Sequence, residues 1–278
     1  MATDRSTTVD GHRIHYRDAG AGPPLLLLHG GIVDAAPVSW GAVLDPLAED
    51  FRVIAPDLLG YGDSDTPDVA YTVERHVATM TGFCDALDLA EPAVAGLSLG
   101  GAVGLGLALD SDVSLRRLAL IDSFGLGREL PNGRLSWLLA RVQLPNRLAI
   151  ALFARSRRLT KASLGGIVAD VEGLSSEAID RVWEYAKRPN AGVAFRSFRA
   201  HEITRTGYRT DFTPRLGGVD VPTLLIHGAQ DEVVPLAWAE RAAERLPDGR
   251  LAVLDDCAHW PPREDPAAVV RLLRTFLG

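Results

Sequence analysis

The strongest chemical signal in the chain is Gly96-Leu97-Ser98-Leu99-Gly100, followed by Gly101. A serine hydroxyl is a poor nucleophile near neutral pH and needs both presentation and a base. Glycines two positions to either side of Ser98 permit a turn too tight for side chains. An apolar run, Ala93–Ala95, precedes the pentapeptide, and a helix-like run, Ala102–Leu109, follows it. In a strand–turn–helix of this kind the hydroxyl stands clear of the backbone and the helix N-terminus faces developing negative charge. The best-placed base is His259, in Cys257-Ala258-His259-Trp260-Pro261, just past the last apolar run. Loops beyond strand ends are where parallel sheets assemble their sites. Of the other histidines, His12 and His15 fall in an N-terminal hairpin, and His76 and His201 in helix-like segments. His227 closes a strand beside Gly228 and reads as support for its loop, and His29 reads as a loop brace.

A histidine base needs an acid to fix its tautomer and stabilise the imidazolium. Asp231 follows the run Thr223–Ile226, in His227-Gly228-Ala229-Gln230-Asp231. Asp122, after the run Leu115–Ile121, is the rival acid, and Glu232 is a weaker one. An oxyanion needs two donors. The N–H of Leu99 is one candidate, and the N–H of Gly31, in His29-Gly30-Gly31-Ile32, is the other. The loop Asp57–Asp65 is glycine-rich but lacks the Lys-Ser/Thr of a phosphate cradle, and it reads as a structural loop beneath the site. No Cys/His cluster has zinc spacing, so neither a metal nor a cofactor is expected.

These residues need a scaffold that brings positions 31, 98, 231 and 259 together. Residues 6–18 alternate around Asp10-Gly11, a hairpin signature. Short continuous apolar runs follow at Leu25–Leu28, Arg52–Ala55, Pro92–Ala95, Leu115–Ile121, Thr223–Ile226 and Leu251–Leu254. Unbroken apolar runs suit strands covered on both faces. Helical spacing lies between them at Tyr71–Leu89, Leu99–Leu109, Leu236–Leu246 and Pro266–Leu277. The alternation predicts an α/β fold: a mostly parallel eight-stranded sheet flanked by helices. From about residue 125 to 217 no strand is expected, only helical pieces at Leu135–Val142, Arg147–Arg155, Ser175–Lys187 and Ala191–His201. A block this long is too large for a loop. It reads as a helical cap inserted after the sixth strand, giving a core of 1–124 and 218–278 and a cap of 125–217. A second independent domain is the alternative.

A chain of 278 residues is long enough for one large core. The net charge of −7 argues against a nucleic-acid partner, whose phosphates would call for a basic face. Two cysteines make no disulfide framework, and the polar N-terminus shows no apolar leader, so the expected location is cytoplasmic, with no membrane partner. A small-molecule substrate is the expected partner, and a homodimer is compatible with the sequence.

Taken together, His29-Gly30-Gly31, Asp57–Asp65, the Gly96–Gly100 elbow, Asp231 and His259 resemble the α/β-hydrolase fold superfamily over nearly the whole chain. The order Ser98, Asp231, His259 is that superfamily's order. The resemblance implies a Ser–His–Asp hydrolase with a cap over its site. The serine argues against its aspartate-nucleophile branches, the haloalkane dehalogenases and epoxide hydrolases. Esterases and lactonases fit, so the expected substrate is an apolar or aryl-containing ester or lactone, cleaved through an acyl-serine. The carbon–carbon hydrolases of meta-cleavage dienoates are similar in His259-Trp260 and in Arg188-Pro189-Asn190-Ala191. This chain departs from them in Leu97, where asparagine is usual, and in Ile32-Val33-Asp34. Cofactor-free perhydrolases and non-catalytic ligand receptors share the fold and remain alternatives. For the pocket the sequence nominates Ile32, Trp137, Trp183 and Trp260, and it offers Arg188, Arg196 and Arg199 to a substrate carboxylate.

Overall fold

A computed structural model describes residues 2–130, 137–138 and 143–278, with side chains of the last stretch described from Leu148 onward. The chain opens with β1 (Thr3–Val9) and β2 (His12–Ala19), paired antiparallel. Asp10 and Gly11 between them both have positive φ, 48° and 79°, as a two-residue hairpin whose twist matches its strands requires. There follow β3 (Pro24–Leu28), α1 (Ala36–Ser39), α2 (Leu44–Leu47), β4 (Arg52–Pro56), α3 (Val73–Ala86), β5 (Ala93–Leu97), α4 (Leu99–Asp110) and β6 (Arg117–Ile121).

After β6 come α5 (Gln143–Phe153), α6 (Arg157–Ser163), α7 (Ser176–Ala186), α8 (Val193–Glu202), β7 (Ile203–Thr204) and β8 (Gly207–Tyr208). The chain then returns to the sheet with β9 (Thr223–Gly228), α9 (Leu236–Arg245), β10 (Gly249–Leu254), α10 (Pro261–Glu264) and α11 (Pro266–Leu277). The main sheet has eight strands in the order β1-β2-β4-β3-β5-β6-β9-β10, and from β4 to β10 every pairing is parallel.

The central strands are buried on both faces, which is why their sequences run apolar without alternating. The two faces still separate by parity. Leu26, Leu28, Ile54 and Val94 pack into one core with Phe83 of α3 and Leu105 of α4. Leu25, Leu27, Val53 and Ala95 pack into the other with Val269 and Leu273 of α11. The start of α11 is set locally: Asp265 accepts the Ala268 N–H at 2.9 Å, and Pro266 occupies the first helical position.

Two features of the inserted region correct the sequence reading. A two-stranded hairpin, β7–β8, stands where no strand was expected; two residues per strand are too few to leave an alternating pattern. Helix α6, capped by Ser156, was also not anticipated. The expected helix Leu135–Val142 lies outside the described residues except for Trp137 and Leu138, which are helical. Among the described residues no helix is long and apolar enough to cross a membrane.

His76 on α3 is fully buried, and neither ring nitrogen has a hydrogen-bond partner among the described residues. Burial, with minor help from His29 and Arg75, pushes its pKa down to about 3. An unfolded histidine titrates near ~6.5, so between those pH values only the unfolded chain takes up the proton. Stability must therefore fall as pH drops below about 6.5, by up to about 1.4 kcal/mol per pH unit from this residue. Urea unfolding of His76→Phe should show a shallower loss of stability between pH 6.5 and 4 than the native chain. Equal slopes would show that His76 is not the buried base described here.

Candidate active site

Ser98 sits between β5 and α4 with φ 51° and ψ −112°, a left-handed backbone that a serine rarely adopts. Neighbouring strands hold it there. Its N–H donates to the Ile121 carbonyl at 2.9 Å, and its own carbonyl accepts the Phe124 N–H at 3.1 Å. The flanking glycines are required by close approach of main chains. A Cβ on Gly96 would lie 2.2 Å from the Gly100 oxygen, and one on Gly100 would lie 2.2 Å from the Leu28 oxygen.

His259 brings Nε2 to 3.0 Å from the Ser98 hydroxyl and Nδ1 to 2.7 Å from Asp231 Oδ2. A carboxylate can only accept, so Nδ1 carries the hydrogen and Nε2 is left to accept from the serine. The histidine loop is pinned from two directions. The His259 N–H donates to the Ile167 carbonyl at 2.8 Å, and the Glu264 carboxylate accepts the N–H groups of Ala258, Trp260 and Ala169. Glu264 and the 167–169 segment left no signal in the sequence, because backbone carbonyls and a lone glutamate carry no motif.

Asp231 also accepts the N–H groups of Val233 at 2.7 Å and Val234 at 3.0 Å through its other oxygen. Burial alone would raise its pKa, but the bond and charge of His259 and these two amides prevail and hold it below the usual carboxylate value. Its rival, Asp122, is fully buried and accepts the Gly228 N–H at 2.9 Å. Burial first, and then the negative charge of Asp231, raise the pKa of Asp122 well above the usual carboxylate value. The nearest histidine nitrogen to Asp122 is on His227, at 3.5 Å, and His227 Nε2 donates to the Val234 carbonyl, as its loop-supporting reading requires. Glu232 makes no bond to His259 among the described residues.

The N–H groups of Leu99 and Gly31 are engaged by no other described group. A Cβ on Gly31 would lie 2.9 Å from the ring of Phe195 on α8. Next to it, Ile32 takes φ 64°, a strained backbone for a β-branched residue. Three buried groups shape this loop. His29 donates from Nδ1 to the Gly30 carbonyl at 2.8 Å and accepts the Leu58 N–H at 2.9 Å. Asp34 accepts from the Ala35 N–H and the Ser39 hydroxyl. Asp57 accepts the N–H groups of Ala36 and Asp63 and binds His15, so the 57–65 loop supports the site from below.

Among the described residues two groups of side chains stand close enough to share an ion, Asp122–His227–Asp231 and His15–Asp57–Asp63. In both, the histidine and at least one carboxylate are already bonded to protein partners.

A cavity of about 370 Å³ lies over Ser98 and His259. Gly31, Ile32, Leu97 and Trp260 line it from the sheet side, and Phe153, Leu164, Val182 and Phe195 from the inserted helices. Ile32 and Trp260 thus stand where the sequence put them. Trp137 and Trp183 do not. Trp137 borders a separate hollow, with Arg205 at 4.7 Å over its ring. Trp183 donates to the Ala154 carbonyl at 3.0 Å and carries Lys187 on its face. On α7 it is Val182 and Ala186, four apart, that face the cavity, and Trp183 is one step round the helix.

The model of the family described as alpha/beta hydrolase fold matches residues 23–266. The chain is 30% identical to a 2-hydroxy-6-oxo-2,4-heptadienoate hydrolase of Pseudomonas putida, across 99% of this chain and 96% of that one. It superposes on a serine hydrolase involved in carbazole degradation with TM-score 0.84 and 26% identity, covering 100% of this chain and 99% of that one. A thermophilic esterase from Thermogutta terrifontis gives TM-score 0.76 at 26% identity, covering 100% and 98%.

Because an alanine methyl at position 100 would meet two carbonyls rather than a movable side chain, Gly100→Ala should cost about 3 kcal/mol or more in stability. Thermal unfolding measures this, and a variant as stable as the native chain would show that the elbow is looser than described.

Proposed function

The chain belongs to the α/β-hydrolase fold family and is a hydrolase, and from that premise we propose that it cleaves a carboxylic ester or lactone, with Ser98 as nucleophile, His259 as general base and Asp231 as the orienting acid. The observation that carries this reading is the unbroken pair of hydrogen bonds, 3.0 Å and 2.7 Å, leading from the serine through the imidazole to the aspartate beneath an apolar cavity.

In the proposed reaction His259 Nε2 takes the Ser98 proton as Oγ attacks the substrate carbonyl. The carbonyl oxygen becomes an oxyanion facing the N–H groups of Leu99 and Gly31, where one good donor is worth about 3 kcal/mol of barrier. Asp231 stabilises the imidazolium. The tetrahedral intermediate collapses, and the leaving alkoxide takes the proton from His259. Water then repeats the sequence on the acyl-serine: its proton goes to His259, its oxygen to the acyl carbon, and Ser98 recovers its hydrogen as the acid leaves.

A second reading, hydrolysis of a carbon–carbon bond in a dienoate, is favoured by the Pseudomonas putida relative. Ester cleavage is preferred because Leu97 and Ile32, both on the cavity wall, put apolar surface beside the nucleophile.

A burst with p-nitrophenyl esters and labelling by a fluorophosphonate are expected, and Ser98→Ala should abolish both with the fold intact. Asp231→Asn should lower kcat by about 10⁴-fold, as loss of the orienting acid does elsewhere, whereas Asp122→Asn should lower it by less than about tenfold. Undiminished labelling of Ser98→Ala would refute the nucleophile. Rapid bleaching of a 2-hydroxy-6-oxo-dienoate with negligible ester turnover would establish the second reading instead.

A further inference from the structure

The cavity has one corner that ester cleavage does not use. Among the described residues Arg199 is the sole lysine or arginine on its wall. The two other arginines that the sequence offers to a substrate carboxylate are committed elsewhere. Arg188 pairs with Asp63 at 2.7 Å and lies on the Tyr185 ring, and Arg196 donates to the Ala191 carbonyl. Arg199 makes no hydrogen bond or ion pair with any described residue. Tyr208 lines the same cavity, and its hydroxyl likewise has no hydrogen-bond partner among the described residues. The phenol is held in place by edge contacts, with ring centroids 5.0 Å from Phe124 and 6.2 Å from Trp238.

We propose that Arg199 and Tyr208 form an anion-binding corner that selects substrates carrying a carboxylate at the end of an apolar arm. The position follows from the chain. The Phe124 N–H is bonded to the Ser98 carbonyl, and the Phe124 ring touches Tyr208, so one aromatic ring spans the way from nucleophile to corner. A carboxylate there stands several carbons from the reacting carbonyl. Phe198 and Trp238 supply the apolar surface around it. A guanidinium facing an apolar space without a counter-charge is poorly solvated, and a carboxylate restores what is missing with two parallel N–H···O bonds. Burial lowers the pKa of Arg199 and raises that of Tyr208, so both groups sit in a poorly hydrated setting, and the phenol keeps its proton to donate. Asp34, the one acid on the cavity wall among the described residues, is occupied by Ser39 and Ala35. The substrate class is therefore the half-ester of a dicarboxylic acid, or an ester with a terminal carboxylate.

The turnover part of this inference rests on the serine-esterase reading, and the binding part does not. Calorimetry with the Ser98→Ala protein would compare 4-phenylbutanoate with the neutral 4-phenylbutan-1-ol. A preference of at least ~10-fold for the carboxylate is expected; it should vanish in Ser98→Ala/Arg199→Met, shrink in Ser98→Ala/Tyr208→Phe, and be partly kept in Ser98→Ala/Arg199→Lys. In the active protein, the ratio of kcat/KM for p-nitrophenyl hydrogen adipate over p-nitrophenyl hexanoate should fall at least ~10-fold in Arg199→Met. Equal binding of acid and alcohol, or a preference that survives Arg199→Met, would overturn the corner. Were the methionine variant to misfold, the lysine and phenylalanine variants decide the matter in the same assay. Carboxylate preference without any ester turnover would uphold the corner and reject the esterase reading.

Discussion

Crowding of main chains at the C-terminal ends of β3, β5 and β6 fixes everything else at this site. The Leu28 and His29 carbonyls, the Gly96 and Gly100 backbones and the Ile121 carbonyl all meet there. No side chain fits between them, so the turn after Leu97 can close only on glycine, and Ser98 is left with a positive φ and an outward hydroxyl. The strain at this one residue, of order 1–3 kcal/mol, is over-determined by the surrounding ladder: β5 is hydrogen-bonded on both sides, to β3 and to β6. The same crowding leaves the Leu99 N–H at the helix start without a partner among the described residues. The outward Ser98 hydroxyl and the unengaged Leu99 N–H are thus two consequences of one packing constraint.

Charge placement is the second constraint. Two buried carboxyl groups, Asp122 and Asp231, end adjacent strands and cannot both ionise cheaply. Asp231 accepts two amides and the imidazole and has its pKa lowered, whereas Asp122 accepts a single amide and has its pKa raised. A sequence alone leaves both as candidates, because each follows an apolar strand. What separates them is the Val233 and Val234 amides folding back onto residue 231, a local turn that no residue type announces.

That case shows which kinds of information were legible. The parallel sheet was, because strands buried on both faces must be apolar throughout, and Leu25–Leu28 or Thr223–Ile226 has no other reading at that length. The elbow was, because a steric requirement for glycine is written in the residue type. The inserted region was legible only as helical. Its choice of inward faces turns on single steps of 100°, so Val182 lines the cavity and Trp183 packs behind it. The β7–β8 hairpin, two residues per strand, carries no period to detect, yet it places Tyr208 on the cavity wall. Among Arg188, Arg196 and Arg199 the sequence could not choose. The choice depends on Asp63 reaching Arg188 from a loop more than a hundred residues earlier.

The inserted helices do more than cover the site. Arg263, a buried residue of α10, donates to the Pro37 and Val38 carbonyls of α1 and pairs with Glu177 of α7 at 2.7 Å. One residue on, Glu264 holds the histidine loop and the Ala169 amide together. Neighbouring side chains on a four-residue helix therefore join three things: the α1 segment that follows the Gly30-Gly31 loop, the histidine, and the inserted helices. Removing the insertion would strip Ile167 from the His259 N–H and leave the Arg263 charge buried without its carboxylate. The cover over the cavity and the geometry beneath it are consequently one cooperative unit, and a substitution in the 167–177 segment acts on the imidazole as directly as one in the loop that carries it.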